Sequence, residues 1–86
     1  MTELRWNAEK NEQLKKDRGI SFEQLADARF IGIEKHPSKP HQRLMIFELR
    51  RYAWVVPYVE EKSHYFLKTA FPSRKHTKKY LTGGLR

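Results

Sequence analysis

Apolar positions recur with two different periods along this chain of 86 residues, and the change from one to the other divides it. Over residues 7 to 28 the spacing is helical. Asn7 is a good N-cap for a helix from Ala8 to about Arg18, and Gly19 stops it. The only large apolar residue of that helix is Leu14. So polar a helix stays folded by packing Leu14 and the neighbourhood of Trp6 on something else, helped by pairs such as Glu12 with Lys16. Asn7, Lys10, Asn11, Leu14 and Arg18 form one continuous face at this spacing. Ser21 to Gln24 reads as a capping box, and Phe22, Leu25, Ala26 and Ala28 make the buried stripe of a short second helix.

Beyond residue 28 the period shortens. Phe30 to Ile33 is strand-like, and residues 36 to 41 form a loop because Pro37 and Pro40 break either period. Three further runs, Arg43 to Arg50, Ala53 to Val59 and His64 to Phe71, predict strands joined by hairpins at Arg51-Tyr52 and at residues 60 to 63. Pro57 has no amide to donate, so the second run is an edge strand or is bulged there. Leu4 to Trp6 suits a short first strand. Pro72 ends the last strand, and Ser73 caps a terminal helix to about Leu81, before Gly83-Gly84 releases a frayed tail. Helices segregated from hairpin-joined strands predict an α+β fold. It is one domain over residues 1–86, with an antiparallel sheet of three or four strands packed with N-terminal helices and a short basic C-terminal helix. Trp6, Phe22, Trp54 and Phe66 are the expected large core residues.

Charge changes the picture. Residues 1 to 42 carry eight Lys or Arg against seven Asp or Glu, while residues 43 to 86 carry ten against three. The last fourteen residues hold five cations and no acid. Such a segment repels itself and gains most from a polyanion whose counterions it releases, which makes a phosphate backbone the first partner to consider. There is no cysteine, so disulfides and a thiol nucleophile are excluded, as a reducing compartment permits. No apolar run approaches the roughly 20 residues needed to cross a bilayer, and the polar start is unlike a signal peptide. The expectation is a cytoplasmic protein without membrane contact.

The histidines, His36, His41, His64 and His76, lack a ligand spacing with acidic partners, and no metal or other cofactor is expected. Nor is there a phosphate loop or nucleophile elbow. What remains is a set of side chains suited to cleaving RNA by attack of a 2′-hydroxyl on its own phosphate. That reaction needs a base, positive charge on the phosphorane and an acid for the leaving oxygen. Arg43, Lys68 and Arg74 are candidates for the charge, meeting at one edge of the sheet, and His76 or Tyr80 for the acid. Lys10, Lys75, Lys78 and Lys79 are candidates for binding the backbone. Tyr52, Trp54, Tyr58, Tyr65 and Phe66 interleave with Arg50, Arg51 and Lys68, a pattern that suits stacking on single-stranded RNA but equally suits a core.

Trp6-Asn7, Lys10-Asn11, Leu14 and the run from Arg18 to Glu23 together resemble the BrnT family of bacterial toxins. Arg43 to Ile46 and Phe66 to Lys79 resemble that family's later strands and basic helix. The resemblance implies a RelE-like fold and a metal-independent RNA endonuclease, the toxin of a type II toxin–antitoxin pair. It also implies a cognate antitoxin, a small dimeric DNA-binding protein, and binding of promoter DNA by the joint complex. Two departures bear on mechanism. Arg18 stands where many members have histidine, and Phe71 stands where they have an arginine closing the last strand; Lys68 or Arg74 is the expected substitute. A non-catalytic nucleic-acid-binding module is the rival reading, favoured by Phe71. A structural protein whose basic tail docks on an acidic partner is a third.

Overall fold

Capping chemistry fixes where the first helices begin and end. In the computed structural model, which describes residues 3–82, a first strand β1 (Glu3–Trp6) leads into α1 (Ala8–Arg18). Asn7 Oδ1 accepts from the Lys10 amide at 3.0 Å, and Gly19, at φ 72°, donates back to the Lys15 carbonyl. Helix α2 (Phe22–Asp27) starts from the full capping box of Ser21 and Gln24. Asn11 joins the two helices. Its Oδ1 accepts from the Phe22 amide and its Nδ2 donates to Glu23, both at 2.8 Å, and it is buried with Leu14. A polar residue on the inner face of a weakly apolar helix thus fixes the corner between α1 and α2.

The rest is sheet: β2 (Arg29–Lys35), β3 (Arg43–Leu49), β4 (Tyr52–Glu60), β5 (His64–Leu67) and β6 (Phe71–Pro72), followed by α3 (Arg74–Thr77), which widens into a π-helical turn over Lys78–Thr82. The expected tail at Gly83-Gly84 lies outside the described residues. The strand order is β1-β5-β4-β3-β2, with β6 on β4 beyond the end of β5. The α+β class is the one anticipated, but the sheet has six strands and one pair, β1 with β5, is parallel. Strand β1 precedes both helices and returns beside a strand 61 positions later, a pairing that periodicity does not encode.

Pro57 explains why the last expected strand is two. β4 is central, and the Pro57 carbonyl accepts from the Lys68 amide, so its ring nitrogen also faces β5 and has nothing to donate there. The ladder stops. From Pro57 to Val55 is two steps on β4, while the partner strand takes three, from Lys68 to Phe71, before pairing resumes as β6. The bulge foreseen at Pro57 therefore falls on the strand opposite it, and the proline needs no edge.

One face of the sheet packs on α1 and α2. Its core holds Leu14, Ile20, Phe22, Leu25, Met45, Phe47, Trp54, Val56, Tyr58 and Leu67, with Trp6 partly buried and stacked on Phe22. Phe66, expected in the core, points the other way and is half-buried, and Leu67 fills the core instead. The opposite face has a smaller cluster of Leu44, Ile46, Ala53 and Val55, closed by Ile31 and Leu81. This second face is where the C-terminal segment lies.

The β3–β4 hairpin turns at Arg50-Arg51, one residue earlier than its polarity suggests, and both arginines have positive φ, 57° and 65°. A two-residue turn of that kind matches the twist of the strands and favours Asn-Gly. An L-residue there costs about 1–2 kcal/mol.

Replacing Asn11 by alanine strands the buried Phe22 amide, so unfolding stability should fall by about 1–3 kcal/mol. Urea denaturation measures it, and an unchanged midpoint would show that the corner holds without this side chain.

Candidate functional site

A single extra residue in β2 decides what the C-terminal segment meets. The register with β3 shifts between Phe30 and Gly32, so that Ile31 is bulged out of the pairing. Phe30 stacks edge-on against Phe47 on the α1–α2 face, whereas Ile31 packs into the opposite cluster and Gly32 stands beside Ile46 on that same side. Two consecutive positions thus share a face, and alternation resumes one step out of phase. Glu34, across from Leu44, is carried onto the C-terminal face. Without the bulge it would point at α1 and α2.

There the carboxylate gathers three donors. His76 Nε2 lies 3.1 Å from one oxygen; Lys79 Nζ, at 3.0 Å, and the Tyr80 hydroxyl both donate to the other. Partial burial pushes the Glu34 carboxyl upward, but donation from Tyr80, Lys79 and His76 outweighs it and brings the pKa from 4.5 down to about 2. The carboxylate in turn raises the pKa of the Tyr80 hydroxyl and of the Lys79 ammonium, chiefly through those same hydrogen bonds. His76 is buried and bonded at both ring nitrogens, since Nδ1 is 2.6 Å from Ser73 Oγ. Ser73 also caps α3 by accepting from the His76 amide. Thr77 fastens the helix to β4, accepting from the Ala53 amide and donating to the Ser73 carbonyl.

Of the residues proposed from sequence, His76, Tyr80 and Lys79 are therefore brought together, by a glutamate that was not among them. Its signal was present: Glu34 is the one acid between Ala28 and Phe47, alternating with apolar neighbours ahead of a basic tail. Arg74 and Lys75 are exposed on the outer side of α3, and their side chains make no hydrogen bond or ion pair among the described residues. Lys78 is also exposed.

Lys68 continues the cross-sheet row Glu34–Leu44–Pro57 on the same face, three strands from Glu34, or roughly 14 Å at the usual strand spacing. Its ammonium lies over the Phe66 ring, 5.5 Å from the centroid. Lys10 is on α1, against the other face, beside a small cavity shared with Arg18, Thr69 and Ala70.

Arg43 is not part of this group. It begins β3, a central strand, in the row of Lys35, Tyr58 and Leu67 on the α1–α2 face, so the sheet separates it from Lys68 and α3. The edge at which Arg43, Lys68 and Arg74 were to meet does not form, because Arg43 and Leu44 necessarily point to opposite sides. Arg43 instead divides two adjoining cavities of about 310 and 180 Å³, lined by Lys35, His36 and Gln42 on one side and His41, Tyr58 and Glu60 on the other, with Pro40 in both. His36 Nδ1 accepts from the amides of Ser38 and Lys39, which leaves the proton of a neutral ring on Nε2. Desolvation, and then the neighbouring Tyr65, keep Tyr58 protonated by raising its pKa. Among the aromatics offered for stacking, Trp54 and Tyr58 are buried, Tyr52 and Tyr65 are half-buried against the same core, and Phe66 stands beside Lys68 on the opposite face.

The fold has a counterpart. It is similar to the crystal structure of the Brucella abortus ribonuclease toxin BrnT, with a TM-score of 0.53 and 16% identity, over 85% of this chain and 97% of that one. The α+β fold of a BrnT-like toxin, implied by the residues around Trp6 and Ser21, is the fold present. No family model matches the chain, and no curated protein matches it in sequence. None of the helices among the described residues is long and apolar enough to cross a membrane.

Glu34→Gln removes the charge that receives the three donors. Because the folded pKa lies below 4.5, the stabilisation is complete above that value and disappears as pH falls toward about 2. The variant should be less stable than the parent by about 1–3 kcal/mol at neutral pH. Denaturant titrations at falling pH should bring the two curves together, and a gap that stays constant would refute the assignment.

Proposed function

We propose that this protein is an RNA endonuclease acting as the toxin of a toxin–antitoxin pair. The observation that carries the reading is the fold shared with a ribonuclease toxin. A fold alone hosts many activities, so the chemistry has to come from the residues it assembles. On the C-terminal face these are cations around one hydrogen-bonded chain, Ser73–His76–Glu34, which ends in the half-buried hydroxyl of Ser73.

The reaction is the attack of a ribose 2′-oxygen on the adjacent phosphorus. The bond from phosphorus to the 5′-oxygen breaks, the products end in a 2′,3′-cyclic phosphate and a 5′-hydroxyl, and the attacking hydroxyl's proton passes to water. The leaving oxygen needs a proton in return. His76 as imidazolium donates through Nε2 to Glu34 and through Nδ1 to Ser73 Oγ; Ser73 then releases its own hydroxyl proton to the leaving oxygen as it takes one from Nδ1. Glu34 orients the ring and stays ionised throughout. Arg74 and Lys68 supply charge to the phosphorane, and Lys75, Lys78 and Lys79 hold the flanking phosphates. No step uses a metal ion. Tyr80, whose hydroxyl donates to Glu34, serves the carboxylate in this reading, and Ser73 delivers the proton in its place.

A partner follows from the same charge. An antitoxin that lays an acidic segment over the C-terminal face neutralises the cations an RNA needs, and a DNA-binding antitoxin then brings the complex to its own promoter.

The test is incubation of the purified protein with a defined single-stranded RNA in EDTA. Fragments ending in 2′,3′-cyclic phosphate are expected, and His76→Ala should slow their formation by about 10²–10⁴-fold with little loss of RNA affinity. Ser73→Asn keeps an N-cap acceptor but has no hydroxyl proton to relay, so it should lose cleavage while keeping the helix, checked by circular dichroism. Binding without cleavage, persisting when translating ribosomes are added, would favour the non-catalytic binding module.

A further inference from the structure

The β3–β4 hairpin holds two arginines where its backbone asks for other residues. Arg50 and Arg51 both occupy the left-handed region, at φ 57° and 65°, and both are exposed. A turn selected for stability alone would carry Asn-Gly or a similar pair. Strain that a folded chain retains at a solvent-exposed tip marks a position kept for something other than stability.

The surroundings say what that is. Neither guanidinium makes a hydrogen bond or an ion pair among the described residues. The acid nearest to them in sequence, Glu48, is already bonded to Arg29 at 2.7 Å. Two residues beyond the turn, Ala53 accepts from the Ser73 amide and donates to Thr77, so the unpaired Arg74 and Lys75 follow from the same end of the sheet. That end therefore presents four cations, from two separate elements, none of which is paired with a carboxylate among the described residues. A tight turn also fixes the backbone of both arginines, which lowers the entropy lost when they close on a ligand.

We infer that the Arg50-Arg51 hairpin tip is a phosphate clamp for single-stranded RNA, gripping the strand beyond the C-terminal face. This rests on the RNA-directed reading above and extends the RNA path to an element outside the proposed proton relay. The strained turn and the open guanidiniums belong to the same two residues, so one substitution addresses both.

The experiment replaces the pair by Asn-Gly (R50N/R51G) and, separately, by two lysines (R50K/R51K). Thermal unfolding is followed together with the anisotropy of a labelled single-stranded RNA over a salt series. Asn-Gly relieves the strain and should raise the melting temperature by about 4–8 °C. It should also flatten the dependence of log Kobs on log salt by about 1.4, the value for two phosphate contacts on a single strand, which corresponds to roughly 25-fold weaker binding at tenfold below the molar reference. Two lysines should keep most of the slope. A more stable Asn-Gly variant that binds RNA with unchanged affinity and slope would overturn the clamp. So would a loss confined to binding of an acidic protein partner. If the parent protein itself neither binds nor cuts RNA, the RNA-directed reading falls and the clamp falls with it; if the parent binds and the variant matches it, only the clamp falls.

Discussion

Between residues 74 and 79 the chain places four cations in six positions, and such a segment has no reason of its own to lie on a sheet. The carboxylate that collects its donors is Glu34. Glu34 reaches it only because β2 carries an extra residue at Ile31, which turns the following side chains over. His76, Lys79 and Tyr80 then converge on two oxygens, while Thr77 and Leu81 fasten the same segment to β4 and to the smaller apolar cluster. The order runs from a bulge, through a side-chain direction, to an anchored basic surface. Remove the first and His76, Lys79 and Tyr80 lose the carboxylate they share, leaving Thr77 and Leu81 alone to hold the segment.

The arrangement also separates two populations of charge that composition lumps together. Lys79 and the ring of His76 are engaged by Glu34, and Arg29 by Glu48. Arg50, Arg51, Arg74 and Lys75 have no such partner among the described residues. Exposed cations of the second kind contribute little to holding the fold, and their mutual repulsion works against it. What they add is a positive field at the surface.

Much of the fold was legible because it is written locally. Asn7, Gly19 and Ser21 with Gln24 set the helix ends by hydrogen bonds to atoms within a few residues, and alternation from Arg43 onward set β3 and β4. Where the reading failed, the deciding contact was distant. Pro57 was seen to be a problem, but whether its nitrogen faced a neighbour depended on which strand lay beside it. Phe66 and Leu67 exchanged roles because register, not hydrophobicity, chooses between adjacent apolar residues. Arg43 and Lys68 sat near strand ends and looked able to meet, yet a sheet has two sides and the pleat assigned them one each. Glu34 escaped notice because a bulge is invisible to periodicity and its three partners lie more than 40 positions away.

The parallel pairing of β1 with β5 joins Glu3 to His64 and Trp6 to Leu67, so the first strand made is completed by one of the last. During synthesis α1 and α2 emerge early, but the sheet that buries Leu14 and Phe22 closes only when most of the chain has left the ribosome. Contacts of such long sequence separation also slow folding, since the loop must be closed before the pairing rewards it. The basic surface and its carboxylate anchor are assembled later still. A protein built this way presents its basic surface only after β5 has paired and α3 has docked on β4, so that surface appears late and as a unit.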